Sequence, residues 1–522
     1  MSVLADPAVL ARGVIGVGFS GNTCDAAPLD ALRAFGPGAL ILFARNAGPP
    51  DELHALVSAL RAISTPPPLI AIDQEGGRVE RIGAGVSPLP PAMAVGATGD
   101  VALAGRLGVL LGRDLARLGI SVDLAPVADL ALQPPNAAVG TRAYGDDPER
   151  AGAFAGAFAA GLERGGVAAT LKHFPGHGST ADDSHIRLPR VTAGAATLRA
   201  RDLVPFARAL RAGAASLVMT AHVVVEAFDA EQPASLSPAV IGELLRGELG
   251  FDGIVVTDCL EMDAITQGVG TVRGAVEALS AGADLLLISH HLELAHEAAA
   301  AIAAAVRAGE LPLARLAEAH GRVLGLRRRM LRPAANEPPA DEAAPLEAAR
   351  RAVTVLRGEP RLRAGDPVTV IAFEGTAADG AAASGRGAAR AEAASLSAAL
   401  RRRGRKSELM RVPLQPAAAD IDLLLEHIPA LGEREFVVVT GDAHLYDAQR
   451  VAVERILEVA PNALIVSGRA PYDALLWPRA RRVACTYGSG GLSLEGCADV
   501  LSGRYEARGV LPVRLVENSA VR

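Results

Sequence analysis

Cysteine is scarce: four residues in 522, Cys24, Cys259, Cys485 and Cys497, with no two spaced as Cys-x-x-Cys. That scatter excludes a zinc ribbon or dithiol redox motif and suits a reducing compartment. Long apolar runs are missing as well. Half of the residues are hydrophobic and the mean hydropathy is +0.26, yet nothing reaches the roughly 18 to 20 apolar residues of a bilayer span. The alanine-rich run 298–306 is short and flanked by Glu297 and Arg307, so no membrane partner is expected. Positive charge is not in excess, since 52 Lys and Arg face 58 Asp and Glu for a net charge of −6. This excludes the cationic face that nucleic-acid binding needs. The N-terminus shows no basic stretch followed by an apolar one, and the expected location is cytoplasmic.

What is present is alternation. Short apolar runs at 13–19, 39–43, 69–72, 121–124, 168–171, 216–219, 253–257 and 284–288 are separated by stretches with helical periodicity, among them 51–63, 101–118, 198–212 and 238–249. Repeated βα units of this kind predict a parallel sheet, and eight of them predict a (β/α)8 barrel. The expected division is a barrel domain over 1–335, a Pro- and Ala-rich linker over 336–345 and a smaller layered α/β domain over 346–522. In the latter, strands are expected at 368–373, 435–440 and 463–467, and the Ala- and Gly-rich segment 375–390 reads as a mobile loop.

Gly16, Gly18 and Gly21 follow the first run as G-x-G-x-x-G. A dinucleotide site also needs an acid at the end of the next strand, and 42–45 reads Leu-Phe-Ala-Arg, so no cofactor is expected. Active sites of barrels are built from the C-terminal ends of the strands. Asp73, Lys172, His173, His222 and Asp258 each come just past a predicted strand. The densest chemistry lies between Lys172 and His185. Pro175, Gly176 and Gly178 prevent a helix there, so His173 and His177 cannot form the helical zinc pair of a metalloprotease, and no metal is expected. Asp183 and His185, two positions apart, suit a carboxylate that orients an imidazole for general acid/base work. Asp258 suits attack on a sugar C1 or stabilisation of an oxocarbenium ion, but its spacing from Glu261 also fits a helix-capping box.

The segments 72–81 (IDQEGGRVER), 140–145 (GTRAYG), 172–185 and 256–262 (VTDCLEM) together resemble the bacterial β-N-acetylglucosaminidases of glycoside hydrolase family 3, the type involved in peptidoglycan recycling. The resemblance implies a retaining enzyme that removes terminal N-acetylglucosamine from peptidoglycan-derived fragments. It implies Asp258 as nucleophile, His185 as acid/base and Asp183 as its partner, with Asp73, Arg81, Arg142, Lys172, His173 and His222 binding the sugar. Cys259 departs from the family, where many relatives carry a second Asp. Three alternatives stay open: a β-N-acetylglucosaminide phosphorylase, a family 3 β-glucosidase with a glutamate acid from the second domain, and an inactive sugar-binding protein.

Overall fold

The structure, a computed structural model, describes residues 6–132, 138–180, 188–331, 339–374 and 395–515. The segment 375–390 and the Asp183–His185 pair lie outside the described residues. Eight parallel strands close a barrel: β1 Ile15–Gly18, β2 Ala39–Leu42, β3 Leu69–Ile72, β4 Val122–Asp123, β5 Ala168–Phe174, β6 Leu217–Thr220, β7 Ile254–Cys259 and β8 Leu285–Ile288. Each expected run of the first domain overlaps one of these strands, with β5, β6 and β7 continuing past theirs. The runs are apolar without alternation because both strand faces are buried, one inside the barrel and one under helices. Ala39, Ile41, Leu69, Ala71, Ile254 and Val256 fill the interior. Their neighbours Leu40, Leu42, Ile70, Ile72 and Val255 pack outward against the helical shell.

Several expectations are corrected. The helical stretch 198–212 forms two helices, Ala195–Ala200 and Val204–Arg211, with Arg201 to Leu203 breaking the path between them. Lys172 and His173 lie within β5 rather than past it, because the ladder continues there: Lys172 N–H donates to the Pro126 carbonyl, and the Lys172 carbonyl accepts from Ala128 N–H at 2.6 Å. Asp258 likewise belongs to β7 and caps no helix; the next helix starts at Asp263.

The C-terminal region holds a six-stranded sheet of β9 Thr354–Arg357, β10 Val368–Glu374, β11 Ser407–Pro413, β12 Glu435–Thr440, β13 Leu464–Ser467 and β14 Arg482–Cys485. Its order is β9-β14-β13-β12-β10-β11, parallel except for the β9–β14 pair. Helices cover both faces, so the region is a three-layer α/β domain. It meets the barrel along an apolar seam in which Met93, Ala94, Ala97 and Ala143 pack with Ala470, Tyr472, Tyr487 and Val513. Hydrogen bonds from Tyr472 Oη to the Ala131 carbonyl and from Val510 N–H to the Ala97 carbonyl stitch the same seam. Ion pairs Arg351–Asp100 and Arg106–Glu347 flank it.

Candidate active site

Side chains alternate along a strand, so those that continue the interior register past the last apolar residue must point into the barrel mouth. Asp73 and Glu75 continue the register of Leu69 and Ala71, Lys172 that of Ala168, and Asp258 that of Ile254 and Val256. Gly76 and Gly77, with φ of 94° and 62°, then turn the chain back where a Cβ on Gly77 would strike Pro91. The return brings Arg81 to the rim, its amide donating to Gln74 Oε1 at 2.8 Å.

The charges at this mouth form a connected set. Lys172 Nζ lies 2.7 Å from Asp73 Oδ1 and 2.6 Å from Glu75 Oε1. Arg142 grips Glu75 through Nε at 2.8 Å and a terminal nitrogen at 2.7 Å, the two-pronged geometry that a planar guanidinium offers a carboxylate. Arg81 approaches Asp73 Oδ2 at 3.7 Å. Burial alone would raise the Glu75 pKa, but Arg142 and Lys172 outweigh it and hold the carboxyl below the usual range. Burial would likewise discharge Lys172; Asp73 and Glu75 prevent this and push its pKa up. Glu75, Lys172 and Arg142 thus favour one another's charged forms in a site largely withdrawn from water.

His173 is held from behind. Its Nδ1 is 2.7 Å from Asp129 Oδ2, and Asp129 also accepts from the backbone N–H of His173 and of His177. The Arg142 guanidinium, which can only donate, lies 3.4 Å from His173 Nε2. Nδ1 thus faces the Asp129 carboxylate and Nε2 faces the guanidinium. His222 is placed differently, with Nδ1 2.7 Å from Ser235 Oγ and Nε2 2.9 Å from the Cys259 carbonyl. That second bond steadies the backbone immediately after Asp258. The Asp258 carboxylate accepts from Cys259 N–H through Oδ1 at 2.7 Å, which fixes its orientation on the rim.

The structure thus joins Asp73, Arg81, Arg142, Lys172 and His173 in one network on the rim that also carries Asp258, with His222 bonded to the β7 end at the Cys259 carbonyl. Two members escaped sequence reasoning, Glu75 and Asp129. Glu75 stands two positions after Asp73, and the period of two carries it to the same side; Asp129 lies past the end of β4, as Asp73 and His222 lie past β3 and β6. Both signals were present in the sequence.

Glu80, in the turn that carries Arg81, is partly buried, and desolvation raises its carboxyl pKa to about 7; N–H groups of Leu89 and Gly77 offset this only in part. An acid raised from 4.5 to about 7 on folding contributes stability that is complete below about pH 4.5 and is lost as pH climbs through 7. The variant Glu80→Gln keeps an acceptor for Leu89 without the charge. Its melting temperature is expected to gain on wild type as pH rises from about 5 to about 8, by on the order of 1–2 kcal/mol in stability. A difference that stays flat across that range in thermal melts refutes this.

Comparison with known proteins identifies the family of the chain. Residues 27–326 match the family described as "Glycosyl hydrolase family 3 N terminal domain". A beta-hexosaminidase of Xylella fastidiosa (strain 9a5c) is 40% identical over 294 residues, which cover 55% of this chain and 86% of that protein. One from Chromobacterium violaceum is 40% identical over 301 residues, covering 56% and 83%. Among solved structures, a glycoside hydrolase family 3 beta-N-acetylglucosaminidase from Paenibacillus sp. str. FPU-7 superposes with a TM-score of 0.91 at 33% identity, over 98% of this chain and 99% of that one. The last match includes the C-terminal region as well as the barrel.

Proposed function

The chain belongs to glycoside hydrolase family 3 and is a glycosidase, and from that premise we propose how its own residues cleave a β-N-acetylglucosaminide. The observation that supports the reading best is the Asp73–Lys172–Glu75–Arg142–His173 network on the same barrel rim as Asp258. A sugar is a ring of hydroxyls, and charged groups held rigid by one another bind and orient hydroxyls at little entropic cost.

In this reading Asp258 attacks the anomeric carbon while His185, oriented by Asp183, protonates the leaving oxygen. The bond to the aglycone breaks as the Asp258–C1 bond forms. His185, now neutral, takes a proton from water, which displaces Asp258 and restores the anomeric configuration. Asp73, Arg81, Arg142, Lys172 and His173 hold the sugar. His222 acts on Asp258 through the Cys259 carbonyl. Terminal N-acetylglucosamine of peptidoglycan-derived fragments is the proposed substrate, and the cytoplasm the proposed location. Among the described residues no helix is long and apolar enough to cross a membrane.

The test is turnover of p-nitrophenyl N-acetyl-β-glucosaminide and of p-nitrophenyl β-glucoside, each with and without inorganic phosphate, with products separated by chromatography. Free N-acetylglucosamine in both conditions is the expected result. The 1-phosphate as main product would make the enzyme a phosphorylase, and turnover of the glucoside alone would make it a β-glucosidase. No turnover of either glycoside would leave a sugar-binding protein.

A further inference from the structure

Beside the sugar-binding rim, the end of β7 and the turn after β8 bring together three side chains that the mechanism above does not use. One ligand atom each from Cys259, Glu261 and His290 lie within 4.8 Å of one another. Cys259 Sγ and Glu261 Oε2 are 3.8 Å apart. A tetrahedral zinc ion with Zn–S near 2.3 Å and Zn–O or Zn–N near 2.0 Å holds its ligand atoms about 3.3–3.8 Å apart. The thiol and carboxylate already meet that spacing, and a ring nitrogen of the exposed His290 lies within 4.8 Å of both.

The three groups are arranged differently from their neighbours. Glu261 is anchored by N–H groups of His290 at 2.7 Å and His291 at 3.0 Å, and its Oε1 also meets His291 Nδ1 at 2.7 Å. It is a carboxylate held in place from one side. The His290 ring, by contrast, makes no hydrogen bond among the described residues and rests 5.6 Å from the Phe43 ring. The Arg45 guanidinium, which interacts with Glu261 and Cys259, is tied to the carbonyls of Phe19 and Ser289. A thiolate and a carboxylate together neutralise a dication, so the positive charge that remains beside the bound ion is the single one on Arg45.

We propose that Cys259, Glu261 and His290 form a binding site for a borderline-soft divalent cation of the Zn2+ class, with solvent as fourth ligand, whose occupancy inhibits the enzyme. The donor set of sulfur, carboxylate and imidazole favours Zn2+ over Mg2+ or Ca2+, which take oxygen ligands. As the Zn–S bond forms, the thiol proton leaves to solvent; burial pushes the free Cys259 thiol up to about 11, so that proton is present at neutral pH. Inhibition follows from chain geometry. The Cys259 N–H that orients Asp258 belongs to the residue the metal would seize, and a cation beside the carboxylate draws off the electron density it needs for attack.

Metal-free full-length protein is titrated with Co2+ and then with competing Zn2+. Expected is one Co2+ per chain with a near-ultraviolet thiolate-to-cobalt charge-transfer band that Zn2+ removes. Cys259→Ser should abolish the band. Loss of an outer hydrogen-bond partner alone weakens metal sites by about 10- to 100-fold, so His290→Ala should cost Zn2+ affinity at least tenfold. His290 is exposed, so this variant tests the site even where Cys259→Ser lowers stability. A missing band, a band that survives Cys259→Ser, or unchanged affinity in His290→Ala overturns the site. The inhibitory half rests on the glycosidase reading and is read separately: Zn2+ should slow the wild type and not His290→Ala, and binding without slowing overturns that half alone.

Discussion

Asp258→Asn is expected to leave the barrel folded and to lower kcat by about 10⁴-fold or more, the scale seen when a covalent nucleophile is removed. The substitution changes almost nothing in shape. An asparagine oxygen can still accept from Cys259 N–H, as Oδ1 does at 2.7 Å, so a loss of activity cannot be assigned to a collapsed rim. What disappears is the negative charge that forms the bond to C1. Because the Asp73–Lys172–Glu75–Arg142 contacts remain in place, substrate affinity should survive, and the variant should bind N-acetylglucosamine as tightly as wild type. A 2-fluoro or 5-fluoro sugar should accumulate as an adduct on Asp258 in the wild-type chain. Wild-type kcat in the variant, or an adduct mapped by peptide mass to another residue, would falsify the assignment.

The second large effect is expected at His185, and it depends on the leaving group. Protonation by a positioned acid contributes about 10² to 10⁴ in rate when the departing oxygen is basic, as in a natural sugar aglycone. A nitrophenolate departs with little help. His185→Ala should therefore lose two or more orders of magnitude on a disaccharide-type substrate and far less on the nitrophenyl glycoside during glycosylation. Asp183→Ala should repeat the pattern in milder form, since a misdirected imidazole still carries a proton. Equal losses on both substrates would move the acid elsewhere, with a glutamate of the second domain as the alternative the family offers.

Much of this molecule was legible before any coordinates. The eight strands could be found because each is short, apolar and bounded, and because a barrel strand buried on both faces has no reason to alternate. The same reading was less informative in the second domain. There β10, β12 and β13 stand out as apolar runs, but β11 is an edge strand, where Glu408 and Arg411 face outward and dilute the pattern. The sequences of β9 and β14 carry Arg357 and Arg482, which bond to carbonyls and carboxylates across neighbouring turns and hide two short strands. In the site, Asp73 and Lys172 were accessible from position alone. The role of Glu75 as the hub between Lys172 and Arg142 was not, because those partners are 97 and 67 positions away and only closure of the barrel brings them together. The metal-type cluster is hidden for the same reason: Cys259 and Glu261 show no zinc spacing until β8 delivers His290 beside them.

The seam between barrel and C-terminal domain bears on how the chain comes apart. Met93, Ala94 and Ala143 on one side and Tyr472, Tyr487 and Val513 on the other form a single buried cluster, not two surfaces that meet across water. Opening it would wet aromatic and aliphatic surface on both partners at once, at roughly 25 cal/mol for each Å² exposed. Neither half can then melt while the other stays intact without stranding that surface, so heat or denaturant acts on the pair as one cooperative unit. A nick or truncation in the C-terminal region would thus be felt in the stability of strands that carry none of its residues.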